Sequence, residues 1–156
     1  MKFVVDSMLG RLATWLRILG YDTHYQSCYP GGVLSNLMLQ HRRLVTRDRA
    51  RWTRSPDSVF VHSDLVGEQL EELLNLVHLQ PDPSRWFTRC LRCNTVLETA
   101  RREEARERVP EYVFYASLGK IKICRSCGRY FWPGSHRERM LKQLAAWNIV
   151  NGQNQL

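Results

Sequence analysis

Phe3-Val4-Val5-Asp6-Ser7-Met8-Leu9-Gly10-Arg11-Leu12-Ala13-Thr14-Trp15-Leu16-Arg17-Ile18-Leu19-Gly20 reads as a strand running into a helix. The opening apolar run, Phe3 to Val5, is too short for a helix. It ends on a carboxylate, Asp6, and Ser7 stands where it can cap the next helix. Leu9, Leu12, Ala13, Leu16 and Leu19 recur at helical spacing, with Arg11, Thr14 and Arg17 between them. Gly20 supplies a C-terminal stop. A buried strand then delivers Asp6 to its carboxyl end, and an amphipathic helix packs back over the sheet. Ligands of open α/β sheets sit beyond the carboxyl ends of the strands, so chemistry is expected at Asp6.

The same alternation continues outward. Tyr21 to Tyr25 alternates like a short strand. Cys28 to Gly32 is a loop rich in breakers. Leu34, Leu37 and Met38 place a short helix over residues 33–41. Leu44-Val45-Thr46 is the next strand and leads to Asp48. Val59-Phe60-Val61 is another and runs into His62-Ser63-Asp64. Val66, Leu70, Leu73, Leu74 and Val77 form the buried face of a further helix, with Glu68, Glu71 and Glu72 largely outside it. Strands alternating with helices predict a parallel sheet covered on both faces. Asp6, Asp48 and Asp64 can then converge on one edge. A cap on the following helix also explains Asp64.

Pro81-Asp82-Pro83-Ser84 breaks the pattern. It predicts an α/β domain over residues 1–80 and a second element over 84–150. In the latter, Arg101 to Arg108 is charged, Tyr112 to Tyr115 and Ile121 to Ile123 are strand-like, and Ser135 to Trp147 is helical. Asn151 to Leu156 reads as a frayed end.

The 156 residues suffice for one cored domain with a small appendage. No run approaches the ~20 apolar residues that span a bilayer. The first residues lack a basic-then-apolar signal pattern, which predicts a cytoplasmic protein with no membrane partner. The net charge is +8 and unevenly spread. Residues 1–80 carry nine basic and eight acidic side chains, and residues 81–156 carry fourteen and seven. A basic second half points to a polyanion, with a solvated surface as the plain rival.

Four of the five cysteines fall as Cys90-x-x-Cys93 and Cys124-x-x-Cys127. Two residues between cysteines let both thiolates of a turn face one tetrahedral ion, and two such turns fill all four positions. The pattern predicts a structural zinc holding a segment that lacks a core of its own. An iron–sulfur cluster is the less favoured alternative. Cys28 has no evident base beside it, which makes a poor nucleophile.

Asp6 and Asp48 each follow an apolar strand. Converging carboxylates suit magnesium or manganese, ions that activate water and stabilise displacement at phosphorus. Capping of the next helix is the competing explanation for each. Arg47, Arg49 and Arg51 surround Asp48 and are candidates for holding phosphates. Lys120, Lys122, Arg125 and Arg129 lie beside Tyr130-Phe131-Trp132, and aromatics next to cations stack on unpaired bases. Phe131 and Trp132 are better explained as covering the zinc-centred core. His136 is a candidate phosphate contact; His24, His41, His62 and His78 read as ordinary surface or sheet residues.

The opening stretch through Gly20-Tyr21-Asp22 resembles that of the mutator-seven C-terminal RNase family, a PIN-like domain with a zinc ribbon at its end. The likeness continues through Val45-Thr46-Arg47-Asp48-Arg49, Glu68-Gln69-Leu70, Arg89-Cys90-x-x-Cys93-Asn94 and Val109-Pro110. It ends in Cys124-x-x-Cys127-Gly128-Arg129-x-x-Trp132-x-Gly134-Ser135-His136. The resemblance implies a PIN-like α/β domain followed by a zinc ribbon and a terminal helix. It also implies that Asp6 and Asp48 are the acids that bind a divalent ion, and that RNA is the substrate. One departure stands out. Family members often carry acidic residues just before the second helix, where this chain has Tyr29-Pro30-Gly31-Gly32. Either Asp64 or Asp22 then compensates, or the chain binds RNA or a ribonucleoprotein without cutting it.

Overall fold

A computed structural model describes residues 1–149, so the expectation for Asn151 to Leu156 lies outside the described residues. The chain forms two compact units, one from Met1 to Phe87 and one beginning at Thr88.

The first unit is a parallel α/β layer. Strand β1 is Lys2–Val5, and helix α1, Gly10–Ile18, comes after a single 3₁₀ turn. Then come β2 (Asp22–Tyr25), α2 (Val33–Leu39), β3 (Arg42–Thr46), α3 (Arg49–Arg54), β4 (Val59–Phe60) and α4 (Val66–Leu76). The strands lie in the order β2-β1-β3-β4, all parallel. Phe3, Val4 and Val5 have no exposed surface, as a central strand covered on both faces requires. From β1 the chain crosses outward to β2, and from β3 it crosses outward the other way to β4. Oppositely directed connections open a crevice between the carboxyl ends of β1 and β3.

Leu12, Leu16 and Ile18 of α1 are fully buried, as are Leu70 and Leu73 of α4, and the two helices pack together. Each such side chain is worth about 1.5–3 kcal/mol relative to exposure. Arg17 interrupts the apolar set yet is also buried, because its Nε donates to the Thr23 carbonyl at 3.0 Å and ties α1 to β2. Gly20 ends the helix at φ +86°, and the chain returns over it. Phe87 N donates to Ile18 O at 2.8 Å, and Trp86 is buried. The first unit thus runs past the Pro81–Ser84 breaker.

Two local expectations differ, and one helix was not expected. Asp6, not Ser7, caps the first turn: its Oδ1 accepts the Ser7 amide at 2.7 Å. Asp64 does not cap α4, whose N-cap is Leu65. There Ser63 Oγ accepts the Leu65 amide at 3.0 Å. Helix α3 has no counterpart in the sequence pattern, because Arg49 to Arg54 carries no apolar stripe; the Asp48 cap organises it.

In the second unit, β5 (Glu98–Thr99), β6 (Lys122–Ile123) and β7 (Tyr130–Phe131) form an antiparallel ribbon in sequence order. Helices α5 (Arg102–Arg106) and α6 (Glu111–Ala116) sit in the excursion between β5 and β6, and α7 (Ser135–Ala146) comes after the ribbon. The Tyr112–Tyr115 segment is helical, not strand-like. Val113 and Phe114 are adjacent and both buried with Ala105, Val109 and Ile121, whereas alternation would have separated them. Among the described residues, no helix is long and apolar enough to cross a membrane.

Candidate active site

Asp6 sits in the crevice between β1 and β3 with no exposed surface. A carboxylate is tolerated there only if it is hydrogen-bonded or paired. Oδ1 accepts the Ser7 amide, and Oδ2 accepts Thr46 Oγ1 at 2.7 Å. Thr46 is itself buried at the end of β3, and its hydroxyl oxygen accepts the Asp48 amide at 3.0 Å. One hydroxyl therefore ties the Asp6 carboxylate to the backbone of the second acid.

Asp48 faces two ways. Its Oδ1 accepts the Ala50 and Arg51 amides at 2.9 and 3.2 Å, the N-cap of α3. Its Oδ2 lies 3.3 Å from Arg51 Nε. The same guanidinium reaches Asp6, with Nη1 3.2 Å from Oδ1. Arg51 thus bridges the two carboxylates, and a positive charge already sits between them. Capping, the competing sequence explanation, is real for both acids, and it accounts for only part of what each carboxylate does.

Two tyrosines close the crevice on the β2 side. Tyr25 Oη donates to Ser7 O at 3.0 Å, and Tyr29 Oη donates to Val5 O at 2.9 Å. Burial raises the Tyr29 hydroxyl above its ordinary range, which keeps it protonated and donating. Tyr25 fits because residue 10 is glycine: a Cβ there would stand 2.6 Å from Tyr25 Oη. Thr46, Tyr25 and Tyr29 were absent from the sequence-derived set. For Thr46 a signal existed, a polar residue ending an apolar strand beside the one that ends in Asp6.

The other acids are placed differently. Asp22 starts β2 opposite Lys2, at the amino edge of the sheet, where Arg42 Nη1 holds it at 2.6 Å. It cannot supplement Asp6 from there. Asp64 lies beyond β4, on the carboxyl side, salt-bridged to Arg47, which also donates to His62 O at 3.2 Å. Arg49 stands over the Phe60 ring, 5.9 Å from its centroid.

The second unit carries the cysteine quartet. Cys90, Cys93, Cys124 and Cys127 have their sulfurs within 4.8 Å of one another, an arrangement that can hold a metal ion. Cys90 and Cys127 Sγ are 3.8 Å apart. A tetrahedron with ~2.3 Å zinc–sulfur bonds has edges of about 3.8 Å. The two turns match bond for bond. Cys90 N donates to Thr95 O and Cys124 N to Arg129 O, each first cysteine accepting the amide four residues on, from Asn94 or Gly128. Asn94 and Gly128 both adopt positive φ, 66° and 70°. The Arg129 backbone amide draws the Cys127 thiol down to about 7, whereas hydrogen bonding to Cys127 pushes Cys93 up to about 12.

The cations of this unit are partly engaged. Arg125 pairs with Glu98 at 3.1 Å and Glu104 at 2.5 Å, which holds the Glu104 carboxyl below its usual range. Lys122 Nζ donates to Thr99 Oγ1 at 3.2 Å, and Lys120 is exposed. Phe131 packs on the cysteine cluster, and Tyr130 and Trp132 on the neighbouring apolar one. The aromatics cover core.

A search of the curated proteins and of the solved structures found no match. A family model, the Mut7-C RNAse domain, matches residues 1–144, a span that includes Asp6, Asp48 and all four paired cysteines. The chain belongs to the Mut7-C RNAse domain family.

Proposed function

We propose that the chain is a divalent-metal-dependent ribonuclease that hydrolyses RNA phosphodiester bonds, with a zinc-bearing ribbon aiding RNA binding. The observation that carries this reading is the Arg51 bridge: two carboxylates at the switch point of a parallel sheet share one cation. Hard oxygen donors around a seat for positive charge fit magnesium or manganese, held by Asp6 and Asp48. Such an ion supplies Lewis acidity toward a phosphate oxygen and a more acidic bound water.

The chain's own residues do the remaining work. Thr46 and the Ser7 amide fix the Asp6 carboxylate, so it need not reorganise when charge arrives. Once released from the acids, Arg51 is free to pair with an RNA phosphate, whose geometry its fork matches. Arg47 and Arg49 extend the positive edge. Asp64, paired with Arg47, is a further carboxylate on this side of the sheet. In the second unit, Lys120 and Lys122 contribute charge toward the RNA, Arg125 can join them only by leaving Glu98 and Glu104, and the four thiolates hold zinc as a structural ion.

A second reading, a catalytically impaired module that binds RNA or a ribonucleoprotein, is favoured by one observation. Among the described residues, the cysteine quartet alone brings three or more potential ligands together, and no third carboxylate joins Asp6 and Asp48. Incubating the protein with labelled single-stranded and structured RNA, plus magnesium or manganese, separates the two. The nuclease reading expects metal-dependent cleavage that an Asp6→Asn, Asp48→Asn double variant lacks. Binding by both proteins with cutting by neither establishes the module instead.

A further inference from the structure

Around α3 and β4 lies a groove that Asp6 and Asp48 do not line. It encloses about 510 Å³ and is lined by Arg43, Arg49, Trp52, Asp57, Phe60 and His62, among others. If the substrate is RNA, as proposed above, we infer that this groove takes one unpaired base of a single-stranded RNA, stacked on the exposed Trp52 ring and bordered by Phe60, with Arg43 and Arg49 on the adjoining phosphates.

The topology leaves the groove open. β4 is an edge strand of two residues, paired among the described residues only with β3. Trp52, on α3, is 45% exposed, a large aromatic surface left to solvent. Its ring lies 5.6 Å from Phe60 at 55°, and Phe60 lies 4.8 Å from His62 at 71°. The tilted contact leaves the exposed Trp52 ring without a parallel partner, the arrangement a planar base completes. The Arg49 guanidinium stands over the Phe60 ring and places a cation within the groove.

Charge and size select the occupant. An apolar protein segment would desolvate two arginines without giving them a partner. A nucleotide instead brings a phosphate for the arginines and a base N–H that Asp57 can accept from. The volume falls in the ~300–1,000 Å³ range of small-ligand sites. A paired helix keeps its bases stacked inside, so only a single strand can offer one. The groove also continues the acid site. Arg49 is the first residue of α3, whose cap is Asp48, and Trp52 lies four residues past that cap, about 6 Å along the axis.

The test measures binding of the full chain to a labelled ten-nucleotide oligouridylate, the same-length abasic strand and a ten-base-pair RNA duplex, without magnesium or manganese. Trp52→Ala and Phe60→Ala should each weaken oligouridylate binding about tenfold with an unchanged salt slope, and Trp52→Tyr should retain it. Arg49→Gln should lower the salt slope by about one phosphate. The abasic strand should bind wild type as weakly as oligouridylate binds Trp52→Ala. Wild-type binding that Trp52→Ala leaves intact overturns the base site while the RNA reading stands. Equal losses on duplex and single strand, or self-association that Trp52→Ala abolishes, also overturn it. Absence of any RNA binding by wild type removes the RNA reading itself, and the groove's assignment with it.

Discussion

A single hydroxyl, Thr46 Oγ1, holds the two acids in register, and that predicts a measurable cost for removing it. Thr46→Val keeps the shape but deletes the donor to Asp6 Oδ2 and the acceptor for the Asp48 amide. A hydrogen bond to a buried charge is worth about 1.5–3 kcal/mol, and urea denaturation of the variant should show a loss of that size. Thr46→Ser, which restores the hydroxyl, should recover most of it. His24 gives a second residue-scale expectation. Burial, then Arg42 and Arg17, hold its imidazole below the ordinary value against an opposing pull from Asp22, and its Nε2 is buried without a partner. The unfolded chain then binds the proton more readily, so stability rises with pH. The contribution is complete above about 6.5 and is lost as pH falls through the lower folded value. Melting curves from pH 7.5 to 5 should fall more steeply for wild type than for His24→Asn. Asp6 and Asp48 were legible as the ends of apolar strands. The Arg51 bridge was not, because spacing places residues on an edge without saying which long side chain crosses the gap.

At the scale of elements, the α1-to-β2 corner depends on the backbone of Gly20. Its φ of +86° disfavours any side chain, and a Cβ there would stand 2.3 Å from Arg85 O, a backbone atom that cannot yield cheaply. Gly20→Ala should therefore destabilise by about 2–4 kcal/mol, conformational cost plus steric overlap. Gly32 offers the control. It has a φ of +81°, but a Cβ there would meet nothing within 4 Å, so Gly32→Ala should cost only about 1–2 kcal/mol. Chemical denaturation of both variants checks the difference. The long elements were readable because α1 and α4 each repeat apolar residues at a helix's own period. Short ones were not: α3 owes its existence to the Asp48 cap, and α6 to packing of Val113 and Phe114 on Ala105 and Val109. Those causes act between segments and leave little periodicity within six residues.

For the whole molecule, the two units gain their stability by different means. The first buries Phe3, Leu16, Leu44 and Leu70 in an ordinary apolar core. The second has strands of two residues and an apolar cluster of Leu97 and Phe131 gathered around the cysteines themselves. The quartet was legible because the doubled Cys-x-x-Cys spacing encodes ligand geometry directly, with no help from distant packing. The basic character of the second half was legible only as a total, since pairing of Arg125 with Glu98 and Glu104 depends on the ribbon's fold. Calorimetry with a zinc-selective chelator tests the division. A unit organised around thiolates should lose its transition when the ion is stripped, while the first unit's transition persists. Cys90→Ser should act like the chelator, because Cys90 is fully buried and its loss removes one of four ligands. Cys28→Ser should do nothing, since Cys28 is exposed and stands outside the cluster. If chelation left both transitions unchanged, the apolar clusters of the second unit would have to hold it unaided, and the metal would be dispensable to its fold.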